Sequence, residues 1–288
     1  MSTGDFVKQI LTCSTHDYLL LFTERGRVFW LKAYQVPATQ RYGKGQAIVN
    51  LLSIKDDAIS NVIAVKEFKD FLFMATKKGQ VKKMNLELFA KPRSTGVRAI
   101  NLPLDGSDIL VGVEPVVEKQ EVMLMTAKGQ AIRFNGDEVR SMGRASYGVT
   151  GIKLKEGDNV VSLEVVHPNK KNETILTITE RGSGKRSLIE NYRLTGRAGK
   201  GVINLKVSEK TGKVVNTIPV IEKDQMVVTT TKGIVIKTPV KALRVMGRAT
   251  QGVRIIKLGM GDRVSDLAKL ARDEEVEKEI EKSGEDKA

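Results

Sequence analysis

A chain of 288 residues, 41% of them apolar, is long enough to bury a sizeable core. Its one cysteine, Cys13, excludes an internal disulfide framework and fits a reducing compartment; YLLLF at 18–22 is too short for a signal peptide, and no run approaches the roughly 18 apolar residues of a membrane span. Forty-eight bases against 34 acids give a net charge of +14, which favours polyanionic partners.

The first predicted element is a hairpin, YLLLF then VFWL, turning at TERG, residues 23–26. RYGKGQAIVNL follows from Arg41, and then a strand, ISNVIAV. The same order recurs. FLFMA and VKKM flank TKKG at 76–79, followed by RSTGVRAINL from Arg93 and DILVGVEPV. VMLM and AIRF flank TAKG at 126–129, followed by RASYGVTGIKL from Arg144 and NVVSLEVV. A fourth hairpin turns at TERG, 179–182, followed by RAGKGVINLKV from Arg197 and VVNTIPVI. A fifth, MVVT and IVIK, turns at TTKG, 230–233, followed by RATQGVRIIKL from Arg248 and RVSDLAKL.

The turn glycines Gly26, Gly79, Gly129, Gly182 and Gly233 lie 53, 50, 53 and 51 residues apart. The late glycines of the second marker, Gly45, Gly96, Gly148, Gly201 and Gly252, keep the same step. Two markers with one period define a repeat, and a period near 50 with about four strands per unit predicts an all-β propeller of four-stranded blades. The units run approximately 5–57, 58–108, 109–158, 159–212 and 213–262. Residues 263–270 read as a sixth unit begun: either they pair with the N-terminal unit to close a ring, or the missing unit lies upstream. Residues 271–288 hold eight acids and four bases and are expected to be a disordered tail, leaving 44 bases and 26 acids in the body.

The base before each turn glycine is Arg25, Lys78, Lys128, Arg181 and Lys232. Each second marker opens on an arginine: Arg41, Arg93, Arg144, Arg197 and Arg248. More bases follow the turns at Arg27, Lys32, Lys82, Lys83, Arg133, Lys185, Arg186 and Lys237, and Lys44, Arg98, Lys200 and Arg254 lie within the markers. Equivalent positions of successive blades lie on a circle, so these bases are expected to form an arc that suits a long, stiff polyanion such as duplex DNA. Small residues and glycines around the marker arginines let backbone amides approach phosphates. No aromatic platform for single strands and no recognition helix accompany the bases, so little sequence readout is expected.

No catalytic constellation stands out. His16 and His167 fall in different units, Cys13 and His16 make an isolated pair, no phosphate-binding GxxxxGK[ST] loop is present, and no acidic metal cluster lies near the tyrosines in sequence. Neither a catalytic residue nor a metal is therefore assigned.

STHDYLLLFTERGRVFWLKAYQVP, FLFMATKKGQVKKM, VMLMTAKGQAIRF and MGRATQGVRIIKL strongly resemble the C-terminal domain of the A subunit of bacterial DNA gyrase, over residues 5–270. The resemblance implies a β-pinwheel, a propeller-like disc whose blades exchange strands, usually six in number. It also implies non-specific duplex binding on a basic perimeter, wrapped with positive writhe. This domain is then non-catalytic and needs no cofactor. ATP and Mg serve other parts of the holoenzyme, in which the catalytic core of the A subunit and the separate B subunit are the partners and negative supercoils the product. A bacterial cytoplasmic, nucleoid-associated location follows, and a monomeric isolated domain. The family's QRRGGKG box has its nearest match in Gln40, Arg41, Tyr42, Gly43, Lys44 and Gly45, one residue short and with Tyr42 for an arginine. In some relatives an acidic tail looks autoinhibitory; here it could compete with DNA for the rim. The equivalent domain of the A subunit of topoisomerase IV is an alternative, and so is a protein-interaction propeller scaffold.

Overall fold

The computed structural model describes residues 9, 11, 13–39, 45–167 and 172–270. Among the described residues, nineteen strands follow one another in repeated groups. The first group is a hairpin, β1 (Tyr18–Thr23) and β2 (Arg27–Lys32), and an inner strand, β3 (Ile59–Val65). The second has a hairpin, β4 (Phe71–Thr76) and β5 (Gln80–Asn85), a two-residue crossing strand, β6 (Val97–Arg98), and an inner strand, β7 (Leu110–Val116). The third repeats this with β8 (Glu121–Thr126), β9 (Gln130–Asn135), β10 (Val149–Thr150) and β11 (Val160–Val166). The fourth has β12 (Thr174–Thr179), β13 (Ser183–Leu188), β14 (Val202–Ile203) and β15 (Val214–Val220). The fifth has β16 (Gln225–Thr230), β17 (Val235–Pro239), β18 (Val253–Arg254) and β19 (Val264–Lys269).

Each hairpin pairs with its own group's inner strand on one side, and each of the first four pairs with the next group's crossing strand on the other. The sheet orders are β3-β1-β2-β6, β7-β4-β5-β10, β11-β8-β9-β14, β15-β12-β13-β18 and β19-β16-β17. All these pairings are antiparallel. The result is a five-bladed β-pinwheel with the inner strands of successive blades packed side by side. Apolar cores fill the spaces around the blades: Phe22, Trp30, Leu72, Met74, Phe89 and Ile100 in one, Phe73, Leu124, Phe134 and Ile152 in the next.

Two expectations need correction. The strand that opens each sequence-defined unit belongs to the preceding hairpin's sheet, so 58–108 is shared between two blades. Likewise 263–270 does not begin a sixth blade, and among the described residues it pairs with no strand of the N-terminal unit: β19 is the inner strand of blade five, paired with β16. Blade five lacks a fourth strand among the described residues, and its outer strand shows the effect. Val235 is 46% exposed, whereas its equivalents Val28 and Val81 are fully buried. The first marker forms a short 3-10 helix at Ile48–Asn50 and pairs with no hairpin among the described residues, and Val49 is 58% exposed where Ile100 is fully buried.

The inner strands bring Glu114 of β7 and Glu164 of β11 to the wall of a central channel, together with Lys269, Asp266 and Asn216. Burial pushes the Glu114 carboxyl up to about 7, opposed by Lys269. Burial and the neighbouring Glu114 hold Glu164 well above the ordinary carboxylate range. The folded state thus keeps protons that the unfolded chain releases, so stability falls as pH rises from the ordinary carboxylate range through about 7. Glu164→Gln is expected to raise the thermal midpoint at pH 8 and to change it little at pH 4.5. An equal effect at both pH values in a thermal scan would remove the account.

Candidate nucleic-acid interface

The outer edge of each blade is built by the strand exchange. After hairpins two to five the chain crosses to the preceding blade, lays the marker loop along its outer strand, and returns over its own turn. Isolated parallel bridges mark the arrival: Ser141 beside Lys83, Leu194 beside Arg133 and Val245 beside Arg186. The edge between blades one and two carries a positive cluster. Arg27, Arg93, Arg98 and Arg144 line one open depression with Gly96, Val97 and Ala145. Arg27 is held by the Thr95 and Gly96 carbonyls at 2.6 and 3.3 Å, and Arg98 by Asn101 Oδ1 at 2.8 Å. Arg254 and Lys200 are exposed further along the edge, the latter lining a groove with Arg193. Arg197 and Arg248 are half-buried: each donates one N–H to the preceding crossing strand, at Thr150 O (3.0 Å) and Ile203 O (2.9 Å). A guanidinium carries five N–H donors, so one such bond leaves others to each arginine.

Five residues expected to face DNA are buried instead. Lys83, Arg133 and Arg186 occupy the fourth position after the turn glycine and hold the next group's crossing segment. Lys83 Nζ bonds Asp137 at 2.6 Å, Arg133 pairs with Glu121 and donates to Ile189 O and Tyr192 O, and Arg186 donates to Leu243 O. In blade one Trp30 Nε1 does the same work on Phe89 O. Lys237, at this position in blade five, is exposed. Lys82 and Lys185 occupy the third position and are buried as well, at 0% and 1% exposure. Lys82 Nζ donates to Ala99 O, Arg144 O and Ser146 O at 2.7, 3.0 and 3.1 Å, and Lys185 Nζ to Gly247 O and Arg248 O. Burial lowers their pKa to about 8 and about 7, Arg248 adding to the effect at Lys185. Lys32 is half-buried, bonded to His16 O at 3.0 Å and stacked over Tyr18.

The turn bases are exposed but have acids beside them. Arg25 shares its cleft with Glu24, Asp56, Asp57, Asp105 and Asp108. Lys128 and Lys232 reach back to the return loop, at Glu156 O (2.6 Å) and Met260 O (2.7 Å). Lys78 and Arg181 are exposed at their turns. A recurring carboxylate caps these turns: Asp57, Asp108, Asp158 and Asp262 each accept the backbone N–H of the turn base. In blade four Gly212 stands at this place, and Glu180 takes the Lys213 N–H from the other side. The period could have revealed this series; the change at blade four hid it. Arg140, Arg193 and Arg244 were also missed. Each is exposed and follows the buried anchor Val139, Tyr192 or Leu243. Gln40, Arg41, Tyr42, Gly43 and Lys44 lie outside the described residues, as does the tail; Gly45 is exposed.

Fold and edge together define a strand-exchanged β-propeller with a cluster of arginines on an outer edge. The family model for the DNA gyrase C-terminal domain, beta-propeller, matches residues 17–66, 70–116, 120–167, 173–221 and 224–270, and the chain belongs to that family. The matched segments each hold one hairpin with its inner strand. The A subunit of DNA gyrase from Staphylococcus epidermidis (strain ATCC 12228) is 39% identical over 275 residues, 94% of this chain and 30% of the relative. The chain therefore spans about 30% of the length of such relatives. A solved gyrase A C-terminal domain superposes with a TM-score of 0.79 at 26% identity, covering 93% of this chain and 90% of that one. The C-terminal domain of a DNA topoisomerase IV also gives 0.79, at 28% identity, covering 89% and 80%.

Proposed function

We propose that this chain is the non-catalytic, DNA-wrapping part of the A subunit of DNA gyrase. It binds duplex DNA non-specifically along the blade edges and bends it with positive writhe, so that the ATP-dependent holoenzyme introduces negative supercoils. Its partners are the catalytic core of the A subunit and the separate B subunit, in the bacterial cytoplasm at the nucleoid; the isolated domain is a monomer. The observation that carries this reading is the cluster of Arg27, Arg93, Arg98 and Arg144 on one open edge. Four guanidinium groups without a carboxylate among the lining residues attract successive phosphates, and the small residues between them let a backbone come near.

The test is the salt dependence of affinity for a random-sequence duplex. Four neutralised phosphates give a log–log slope of about −3 to −4. A slope near zero overturns the reading. The topoisomerase IV alternative draws on the equal structural likeness to that enzyme's C-terminal domain. Ligating nicked plasmid with the domain bound separates the two: trapped positive writhe supports gyrase, and its absence in the presence of binding supports the alternative.

A further inference from the structure

We propose that the marker loops on blades two and four are backbone phosphate seats, held open by the buried ammonium groups of Lys82 and Lys185. The inference rests on the DNA-binding reading above and names where the duplex backbone is gripped.

Carbonyl direction fixes where the loop amides point. Arg144 O and Ser146 O turn inward to Lys82 Nζ, and Gly247 O and Arg248 O turn inward to Lys185 Nζ. A trans peptide points its C=O and the following N–H in opposite directions, and every described peptide is trans. The N–H groups of Ala145, Tyr147, Arg248 and Ala249 therefore face away from the lysines, toward the outside of the edge. Each loop thus offers two amide donors beside an arginine, a set that suits a phosphate oxygen.

Blade three supplies the comparison. Ile132 stands where Lys82 and Lys185 stand, and no ammonium meets that loop's carbonyls; Gly199 O, the equivalent of Ser146 O, accepts Lys153 N–H at 2.9 Å, as Ser146 O accepts Asn101 N–H at 3.1 Å, so the lysine's own effect falls on the peptide after the marker arginine. Ala198, the equivalent of Ala145 and Ala249, has φ +62° and donates its N–H to Gly151 O at 2.6 Å. Its amide is used internally, and there the exposed side chain of Lys200 takes over the charge. Phe29 fills the same position in blade one. The fold thus accepts an apolar residue at this site, and a buried lysine without a carboxylate partner carries a desolvation cost. Orienting the loop amides is the return for that cost.

The test titrates the isotopically labelled 288-residue chain with a short random-sequence duplex and follows backbone amides by NMR. The amide protons of Ala145, Tyr147, Arg248 and Ala249 are expected to move downfield on binding, and that of Ala198 to stay. Lys82→Ile with Lys185→Ile is expected to abolish the shifts of Ala145, Arg248 and Ala249, to leave that of Tyr147, whose preceding carbonyl Asn101 N–H also holds, and to weaken binding by roughly tenfold. Binding by the parent without movement of the four amides overturns the proposal, and so does unchanged affinity in a folded double variant. If the double variant does not fold, the parent's amide shifts decide. Absence of any duplex binding by the parent instead removes the functional reading and the seats with it.

Discussion

Arg93→Glu combined with Arg144→Glu is expected to weaken duplex binding about 100-fold at low salt, while Arg25→Glu changes it little. All three arginines have recurring equivalents along the chain, yet their surroundings differ. Arg93 and Arg144 share an open depression with Arg27 and Arg98, whose guanidinium groups are already fixed by loop carbonyls and Asn101. Arg25 stands beside five carboxylates, so its local potential is not positive. A charge a few ångströms from a phosphate gives ~1 kcal/mol in water-like surroundings and up to ~4 kcal/mol at the edge of a protein. Reversing two such contacts therefore costs about 3 kcal/mol, which is the expected factor. The salt slope should fall by about 2 in the double variant, one phosphate per arginine. An equal loss for Arg25→Glu would show that net charge alone matters and that the edge cluster has no special standing.

The parts of the fold that were legible in the sequence are those fixed by local chemistry. A glycine every 50 or so residues between alternating strands specifies a hairpin, because the turn and its flanks lie within ten residues. The blade boundary was not legible, because ISNVIAV and its equivalents look alike whichever hairpin they join. Pairing of β7 with β4 rather than with the next hairpin depends on a path of about 25 residues, from Asn85 to Leu110, out to blade one and back. That excursion leaves no local signature.

The site divides in the same way. The sign of the recurrent bases was legible and their burial was not. Lys82 and Lys83 are adjacent in a strand, so they point to opposite faces, and a strand at a solvent edge would expose at least one. Both are covered because the third group folds back over blade two: Asp137 meets one lysine, and the carbonyls of Arg144 and Ser146 meet the other. The same physics explains why Lys, Arg and Trp share the fourth position after the turn. What that place requires is a long donor that reaches the next group's crossing segment, and Trp30 meets the requirement without charge. Recurrence of a base there reports docking between blades, whereas among the described marker arginines Arg93 is exposed and Arg144, Arg197 and Arg248 are half-buried.

Gly129→Ala is expected to destabilise the chain by about 3 kcal/mol and to lower its thermal midpoint by about 6–12 °C. Two requirements meet at this residue. Its φ is +79°, a region that costs an alanine ~1–2 kcal/mol. A Cβ there would also lie 2.1 Å from Leu205 O, a backbone atom that cannot move without the crossing strand β14. That strand is fastened to the turn itself, because Asn204 N and Leu205 N both donate to Gly129 O, at 2.8 and 3.2 Å. The same fork recurs at Gly26, Gly79 and Gly182, with Ala99 and Ile100, Gly151 and Ile152, and Ile255 and Ile256 as donors. The turn glycine is thus the point where one blade accepts the next, and a methyl group there pushes two blades apart. Gly143→Ala is the control: its Cβ would meet nothing within 4 Å, and its midpoint should match the parent's. If Gly129→Ala melts with the parent, close approach of the crossing strand is not what preserves glycine at the turn, and the strand exchange loses its physical basis at the sequence level.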